Sequence, residues 1–517
     1  MSPGPSPADA RFRAFMPAFY NRFEALIGAI GARLRQARGD FPIYAREAVQ
    51  HRLLQEICFQ IENPLRCQDT ERTIRGEAPT QSDAGPFRLG GMTTDPRSGE
   101  VRIGVLLWLK CIGQFLALGL LALGLNLAAL FSRRRIGAAT LALGVPDESL
   151  FRGGDGDFAE FADVGPIAPF NAATHLLVQA LSTGQRSTSS RITYVRHPVF
   201  ARIRTSAPGP LQLLRFATHQ LGTAVLFLLG ALRNPLLALL WRDYALHASI
   251  RSLNERGLIE NVIFTNSNWG RQPLWMTSLP ERRFAAHMVF YSQHDRPVAY
   301  ADVADRRSAH PTTGLLRADH FWVWTQSHAD MLAQEGAVGE AHVVGPIIWE
   351  PLVRPAGLLR PRKWIAIFDI TPITAKATRE LGYLGTYYNT DNLMAFIDGI
   401  KTAAQAAALR LPLVLKPKRR PTGIHDQAYL DRLLRESGTF QLLSSQASLT
   451  EVIAASAAVI IYPHSTVANV ADWMGVPAIY FDPTGNLLRT YEETAHIRYA
   501  QSVEELASAL RHALAAS

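Results

Sequence analysis

Cysteine is scarce in this chain: Cys58, Cys67 and Cys111 are the only three in 517 residues. An odd number at irregular spacing argues against a disulfide framework or a cysteine metal knuckle and fits a reducing compartment. Charge is thin as well, at 19% of residues against about 25% in an average globular protein. Long apolar runs are few. Mean hydropathy is only +0.02 and one segment approaches a full bilayer span, which argues against a polytopic transporter. The Pro- and Ser-rich stretch 1–10 lacks the basic flank and apolar core of a signal peptide. No P-loop lysine motif, G-x-S-x-G elbow or H-E-x-x-H occurs. Zinc-finger spacing, RNP aromatics and a long basic helix are missing too, so no nucleic-acid partner is expected.

What is present is apolar bulk. A hydrophobic fraction of 48% supplies a core and excludes general disorder, and the length suggests two or three domains. The formal net charge of +9 favours phosphorylated substrates, polyanions or anionic lipid.

Residues 10–67 read as helical, because Phe12, Phe15, Phe19, Phe23, Leu26, Ile27 and Ile30 recur at three- and four-residue steps. With arginines among them, this face suits either packing on the main body or a membrane surface. The polar stretch 71–100 reads as a linker or long loop. Residues 111–132 hold no charge, with Lys110 before them and Arg133, Arg134 and Arg135 after. A second greasy region, 216–241, is broken by Arg233, Asn234 and Pro235. A charged, Pro-kinked centre is poor for a full span. If both segments spanned, the basic stretch 133–215 would lie across the membrane, against the usual placement of positive loops. Shallow, in-plane or re-entrant insertion from the cytoplasmic face is therefore expected. Burial in a large domain and true spanning are the other readings.

From residue 138 onward, short apolar strands alternate with helices: 139–145, 192–195, 261–265, 287–291, 321–325 and 342–345. After the Pro-rich stretch 351–361 a second series follows, with strands at 364–370, 411–416, 440–443, the end of 452–462, and 478–481. Helices are expected at 391–409, 466–474 and 502–515. Such alternation implies parallel sheets covered on both faces, with ligands at the C-terminal strand ends. The predicted fold is α/β: two Rossmann-like doubly wound domains after a helical, membrane-associating N-terminal region. The expected boundaries are 1–135, 136–350 with a hydrophobic insertion at 211–241, and 361–517.

The most informative stretch is IIYPHSTVANVADWMGVPAIYFDPTG, 460–485. A strand ends at Tyr462, Pro463 and His464 turn the chain, and Ser465 is placed as N-cap of a helix starting at Thr466. Gly475 and Pro477 end that helix. Hydroxyls and free N–H groups at a helix start suit phosphate, although an ordinary capped helix has the same pattern. The adjacent His464 and the turn containing Asp482 favour the anion site.

These residues resemble the bacterial polysaccharide-biosynthesis proteins known for a Pro-Phe-Thr-Ser motif, which reads Pro463-His464-Ser465-Thr466 here. The layout also resembles the wider GT-B glycosyltransferases. The resemblance covers roughly 261–514 and implies a GT-B fold whose Ser/Thr pair binds the donor nucleotide's phosphate. Relatives carry a His-Pro pair where this chain has Lys416, Pro417, Lys418 and Arg419. That basic cluster still suits a diphosphate. Asp369, after the first strand of this lobe, and Asn389, before a helix, are further donor-site candidates. Either residue also fits a plain turn or cap.

The N-terminal lobe has to supply a base. His294 and Asp295 follow a strand and stand at its rim. Asp155, in the Gly- and Asp-rich run 153–157, is a weaker candidate, suggested by the acidic residues of sialic-acid transferases of this fold. The loop 265–275 offers amide and aromatic groups that suit a sugar or an ordinary loop.

The expectation is a metal-independent, membrane-associated glycosyltransferase of bacterial surface polysaccharide assembly. It needs no cofactor, because the nucleotide-sugar is a substrate. The partners are that donor, a lipid-linked glycan acceptor and the cytoplasmic face of the inner membrane, and the oligomeric state is open. The alternatives are a polyol-phosphate transferase of the teichoic-acid type and a non-catalytic membrane scaffold.

Overall fold

A computed structural model describes residues 7–36, 41, 43–75, 87–95, 98–129, 137–145, 155–179, 190–196, 209–265, 272–292, 300–301, 312–349, 362–380, 387–418, 422–436, 438–463, 465–489 and 496–515. The N-terminal region is a helical pair, Pro7–Gln36 and Arg46–Ile74. Of the face expected from the periodicity, Phe15, Phe19, Phe23, Leu26 and Ile30 are buried, with Phe19 and Phe23 fully enclosed. Phe15, Phe19 and Phe23 form a ladder of rings along the first helix, and the Arg66 guanidinium of the second lies 5.3 Å above the Phe19 ring. Buried Arg22 pairs with buried Asp69 across the two helices. The membrane-surface reading of this helix is thereby corrected: its aromatic face is spent on the protein's own core.

The polar stretch expected to be a linker contains the first two strands of a three-stranded antiparallel sheet, β1 Phe87–Leu89 and β2 Met92–Asp95, and ends where the third, β3 Glu100–Ile103, begins. Gly90 and Gly91 form its first turn with φ of 53° and 91°. Two consecutive positive φ values match the twist of a two-residue hairpin, and glycine adopts them without steric cost.

The two apolar stretches become helices Val105–Ala129 and Pro210–Arg233. The second stops at Asn234, and a 3₁₀ turn Pro235–Leu240 leads into the helix Trp241–Glu255. Both are long and apolar enough to cross a membrane. They meet through Phe115 and Phe227, whose ring centroids are 4.3 Å apart, and Phe227 reaches Tyr244 at 5.1 Å. Each helix buries only one side, which does not fit the alternative reading of two buried core helices. Leu120, Leu221 and Leu232 are about two-thirds exposed or more (70%, 68% and 66%).

The first parallel sheet has seven strands: β4 Ala139–Leu143, β5 Leu176–Gln179, β6 Ile192–Val195, β7 Ile259–Thr265, β8 Ala285–Val289, β9 Arg317–Val323 and β10 Val338–Val343. Its order is β10-β9-β8-β7-β4-β5-β6. The second has six: β11 Trp364–Phe368, β12 Leu413–Lys416, β13 Phe440–Leu442, β14 Ser456–Ile461, β15 Ala478–Phe481 and β16 Ile497–Ala500, ordered β13-β12-β11-β14-β15-β16. β5, β16 and the helix Gln427–Arg435 were not anticipated from the sequence.

Each sheet starts in its middle, winds outward one way, then returns to the centre and winds the other way. This is the doubly wound arrangement, with one switch point per sheet. The lobes are packed together. One buried cluster runs from Phe158, Phe161 and Phe170 through Trp349 to Ala471, Met474 and Tyr480. Ala301 also donates its N–H to the Asn486 carbonyl at 2.9 Å, beside the Tyr300–Leu487 bridge.

Candidate functional site

The second sheet switches direction between β11 and β14, which are neighbours. Their tips are tied by the Tyr462 N–H donating to the Phe368 carbonyl at 3.2 Å. Asp369 leaves one tip and Pro463 the other, so the sequence-predicted residues on these two segments come together at the place where such folds hold ligands.

Asp369 is buried, at 2% exposure. Its Oδ1 accepts the Lys418 backbone N–H at 2.8 Å, and its Oδ2 accepts the Tyr429 hydroxyl at 2.9 Å. Burial pushes its carboxyl above the usual range, while the Lys418 and Tyr429 bonds pull the other way. The carboxylate thus fixes the turn after β12 against the tip of β11. Lys416, the last residue of β12, is buried and donates from Nζ to the Ser445 carbonyl at 3.1 Å. Arg419 and His464 lie outside the described residues.

Ser465 is buried, and its carbonyl accepts the Tyr480 hydroxyl at 2.8 Å. The helix that follows is Val467–Trp473, with Thr466 at the N-cap and no side-chain capping bond. The expected start, with Ser465 as cap before Thr466, differs from this by one residue, and Thr466 already has helical φ and ψ of −60° and −13°.

Two other candidates are committed to the frame. Asn389 caps the helix Thr390–Ala406, its Oδ1 accepting the Asn392 N–H at 2.9 Å. Asp482, at the tip of β15, is buried. It accepts the Tyr387 hydroxyl at 2.6 Å, the Thr484 hydroxyl at 2.7 Å, and the Thr484 and Leu487 N–H groups at 2.9 Å each. In this structure it shapes the turn.

Sequence reasoning missed the tyrosines that brace this rim. Tyr387 stacks on Tyr462 at 4.9 Å, the Tyr462 hydroxyl donates to the Tyr387 carbonyl at 3.0 Å, and the Tyr388 hydroxyl to the Pro463 carbonyl at 3.4 Å. A buried phenol needs a partner for its hydroxyl. The adjacent Tyr387 and Tyr388 before a predicted helix, and Tyr462 at a predicted strand end, were therefore the available signal.

In the first sheet the switch lies between β4 and β7, where the Thr265 hydroxyl donates to the Gly144 carbonyl. Asp155 opens the helix Asp155–Val164, the first described element after β4. The chain following β4 thus starts from this switch point. His294 and Asp295 follow β8, one strand further out, and lie outside the described residues. The chain reappears at Tyr300, already bridged to Leu487 of the second lobe.

Comparison with known proteins adds an identification of family. A family model described as polysaccharide biosynthesis PFTS motif protein matches residues 222–510, more than half of the chain. No curated protein matches it. Among solved structures, a Staphylococcus aureus TarM variant solved with fondaparinux, alpha-GlcNAc-glycerol and UDP is 8% identical. It covers 49% of this chain and 48% of its own, with a TM-score of 0.31. The match therefore spans about half the length of TarM. The wall teichoic acid polymerase TagF is 10% identical over 72% of this chain and 79% of its own, at 0.36. MurG of Acinetobacter baumannii is 10% identical over 74% and 83%, at 0.29. Scores this low leave the fold to be read from the strand order itself.

The buried Asp369 gives a pH signature. A carboxyl raised on folding binds its proton more tightly in the folded than in the unfolded chain. Stability therefore falls as pH rises from the ordinary value of 3.8 through the raised folded value. Asp369→Asn removes that titration. Denaturant unfolding across this window should show the wild type losing stability relative to the variant as pH rises, and parallel curves would contradict the assignment.

Proposed function

We propose a function from one premise: the chain belongs to the polysaccharide biosynthesis PFTS-motif family. On our reading it is a GT-B-type glycosyltransferase that moves a sugar from a nucleotide-sugar donor to a lipid-linked glycan. It works at the cytoplasmic face of the bacterial inner membrane. The observation that carries this reading is the switch point of the second sheet, where Asp369, which accepts the Lys418 N–H, and Pro463 leave neighbouring strand tips.

The chemistry follows from charge. A base from the first lobe, His294 or Asp295, takes the proton of the acceptor hydroxyl. The hydroxyl oxygen attacks the anomeric carbon as the bond to the nucleotide's phosphate oxygen breaks. Negative charge grows on that leaving phosphate. Fixed positive groups, Lys416 and Lys418, together with the hydroxyls and N–H groups of Ser465 and Thr466, are suited to receive it. On this reading no metal takes part in the transfer.

A thermal-shift screen with CMP, UDP, GDP and CDP-alcohols tests the donor class. The cognate nucleotide at about 100 times its Kd should add about 2.7 kcal/mol of stability. Ser465→Ala and Thr466→Ala should lower turnover at least about tenfold, in line with losing donors to a developing oxyanion. Release of CMP with phosphate retained on the acceptor would instead indicate a polyol-phosphate transferase. Absence of turnover, with glycan length unchanged in the variants, would indicate a scaffold.

The membrane part of the proposal rests on the leucines that Val105–Ala129 and Pro210–Arg233 turn outward, with Lys110, Arg215 and Arg233 at hand. An in-plane pair would sink these side chains below the headgroups and leave the basic groups among anionic lipid. Each leucine so buried contributes about 1.5–3 kcal/mol. Full-length protein should cosediment with vesicles of mixed neutral and anionic phospholipid, and Leu120→Glu with Leu221→Glu should weaken this at least tenfold, about 1.4 kcal/mol. Equal sedimentation of wild type and variant would contradict it.

A further inference from the structure

One face of the first sheet carries a row of polar side chains that the transfer reaction does not use. It begins in the core at buried Thr140 on β4, whose hydroxyl oxygen lies 3.4 Å from Asn261 Nδ2 on β7. Asn261 Oδ1 meets His287 Nε2 on β8 at 3.0 Å, and His287 Nδ1 accepts the Trp322 indole N–H from β9 at 3.2 Å. The indole donor makes that Nδ1 an acceptor, so Nε2 carries the proton toward Asn261. The parallel register sets His320 beside His287, Glu340 beside His320, and His342 beside Trp322. Residues two apart share a face of a strand, so His320 and Trp322 on β9, and Glu340 and His342 on β10, point the same way.

We propose that His320, Glu340 and His342 form a binding site for a divalent transition metal of the zinc type at the outer edge of the first sheet. Their ligand atoms all lie within 4.8 Å of one another. His342 Nε2 and His320 Nδ1 face each other at 2.9 Å, and Glu340 Oε2 stands 3.5 Å from the first lobe's His320 Nδ1 and 4.0 Å from His342 Nε2. Metal–ligand bonds of about 2.0–2.1 Å in a tetrahedron put ligand atoms about 3.3 Å apart. The observed triangle brackets that spacing. Two imidazoles and a carboxylate are a zinc ligand set, and the fourth position is open to water, since the Glu340 side chain is 68% exposed.

The ligand rings are oriented without the metal's help. His320 stacks on His287 with centroids 5.0 Å apart and planes 18° apart, and His342 stacks on Trp322 at 4.7 Å and 25°. His287 is held in turn by Trp322 and Asn261, which gives the site a fixed outer layer. The site sits on β9 and β10, while the switch point lies between β4 and β7. Its role is therefore structural. Strand β10 is the sheet's edge and almost wholly exposed, and a metal would clamp it to β9 through side chains as well as backbone.

Isothermal titration of the chelator-stripped full-length protein with zinc tests this. The wild type should bind one ion per chain. His320→Ala and His342→Ala should abolish binding, and Glu340→Gln should weaken it at least about tenfold. Cobalt(II) should give the visible absorption of a tetrahedral site in the wild type and not in His320→Ala. Nucleotide-induced thermal shifts should be unchanged in all three variants, because the cluster lies on the first sheet and the proposed donor site at the switch point of the second. If an alanine variant fails to fold, Glu340→Gln, at an exposed carboxylate, decides. Zinc binding equal in wild type and in Glu340→Gln, or no cobalt spectrum in the wild type, would overturn the proposal.

Discussion

A parallel strand delivers its chain to the same edge of the sheet as its neighbours, and a doubly wound sheet must reverse its direction of winding once. At that reversal the two flanking loops diverge to opposite faces, and a crevice is left that no connection fills. Both sheets of this protein obey the constraint, between β4 and β7 in one and between β11 and β14 in the other. The candidate chemistry depends on it. Asp369, Lys418 and Pro463 are far apart in sequence, and the winding alone makes them neighbours. The buried carboxylate of Asp369, bonded to Lys418 and Tyr429, then holds two of the crevice walls in fixed relation.

A crevice can position a reacting group only if its rim does not move. Here the rim is braced by phenols: Tyr387 on Asp482, Tyr462 on the Tyr387 carbonyl, Tyr480 on the Ser465 carbonyl. The lobes are held by the aromatic cluster around Trp349, whose ring lies 5.3 to 6.0 Å from those of Phe158, Phe161 and Phe170. Trp349 sits at a φ of 58°, a strained position for a side chain of this size. Packing on four sides, Tyr291 included, offsets that strain. The helices Val105–Ala129 and Pro210–Arg233 join the same lobe through Phe115, Phe227 and Tyr244, so whatever surface they engage is mechanically coupled to the first lobe.

Much of the frame was legible because buried parallel strands are continuous apolar runs. Strands at 139–143, 364–368, 456–461 and 478–481 stand almost where hydrophobicity put them. Ile497–Ala500 was missed since its Arg498 interrupts the run, and β5 because only its three apolar residues mark it. The hairpin at Gly90-Gly91 was passed over because the surrounding stretch is polar and its strands are only three and four residues long, although two adjacent glycines between Leu89 and Met92 carried the signal. For the candidate site, residue type picked out polar residues at strand ends. It did not show that Asp369, Asp482 and the cap Asn389 each accept hydrogen bonds that shape the frame. That role depends on which N–H groups the tertiary fold brings within reach. The histidine cluster of β8, β9 and β10 was invisible for a related reason: its members lie in three separate strands and meet only through register.

The central claim is that the donor binds at the reversal of the second sheet, and its most direct test is the structure of the protein with its cognate nucleotide diphosphate bound. The account predicts the diphosphate between the tips of β11 and β14, within hydrogen-bond distance of the segment 463–466 and facing Lys418. A nucleotide seated in the first lobe, or on the outer faces of the sheets, would contradict it.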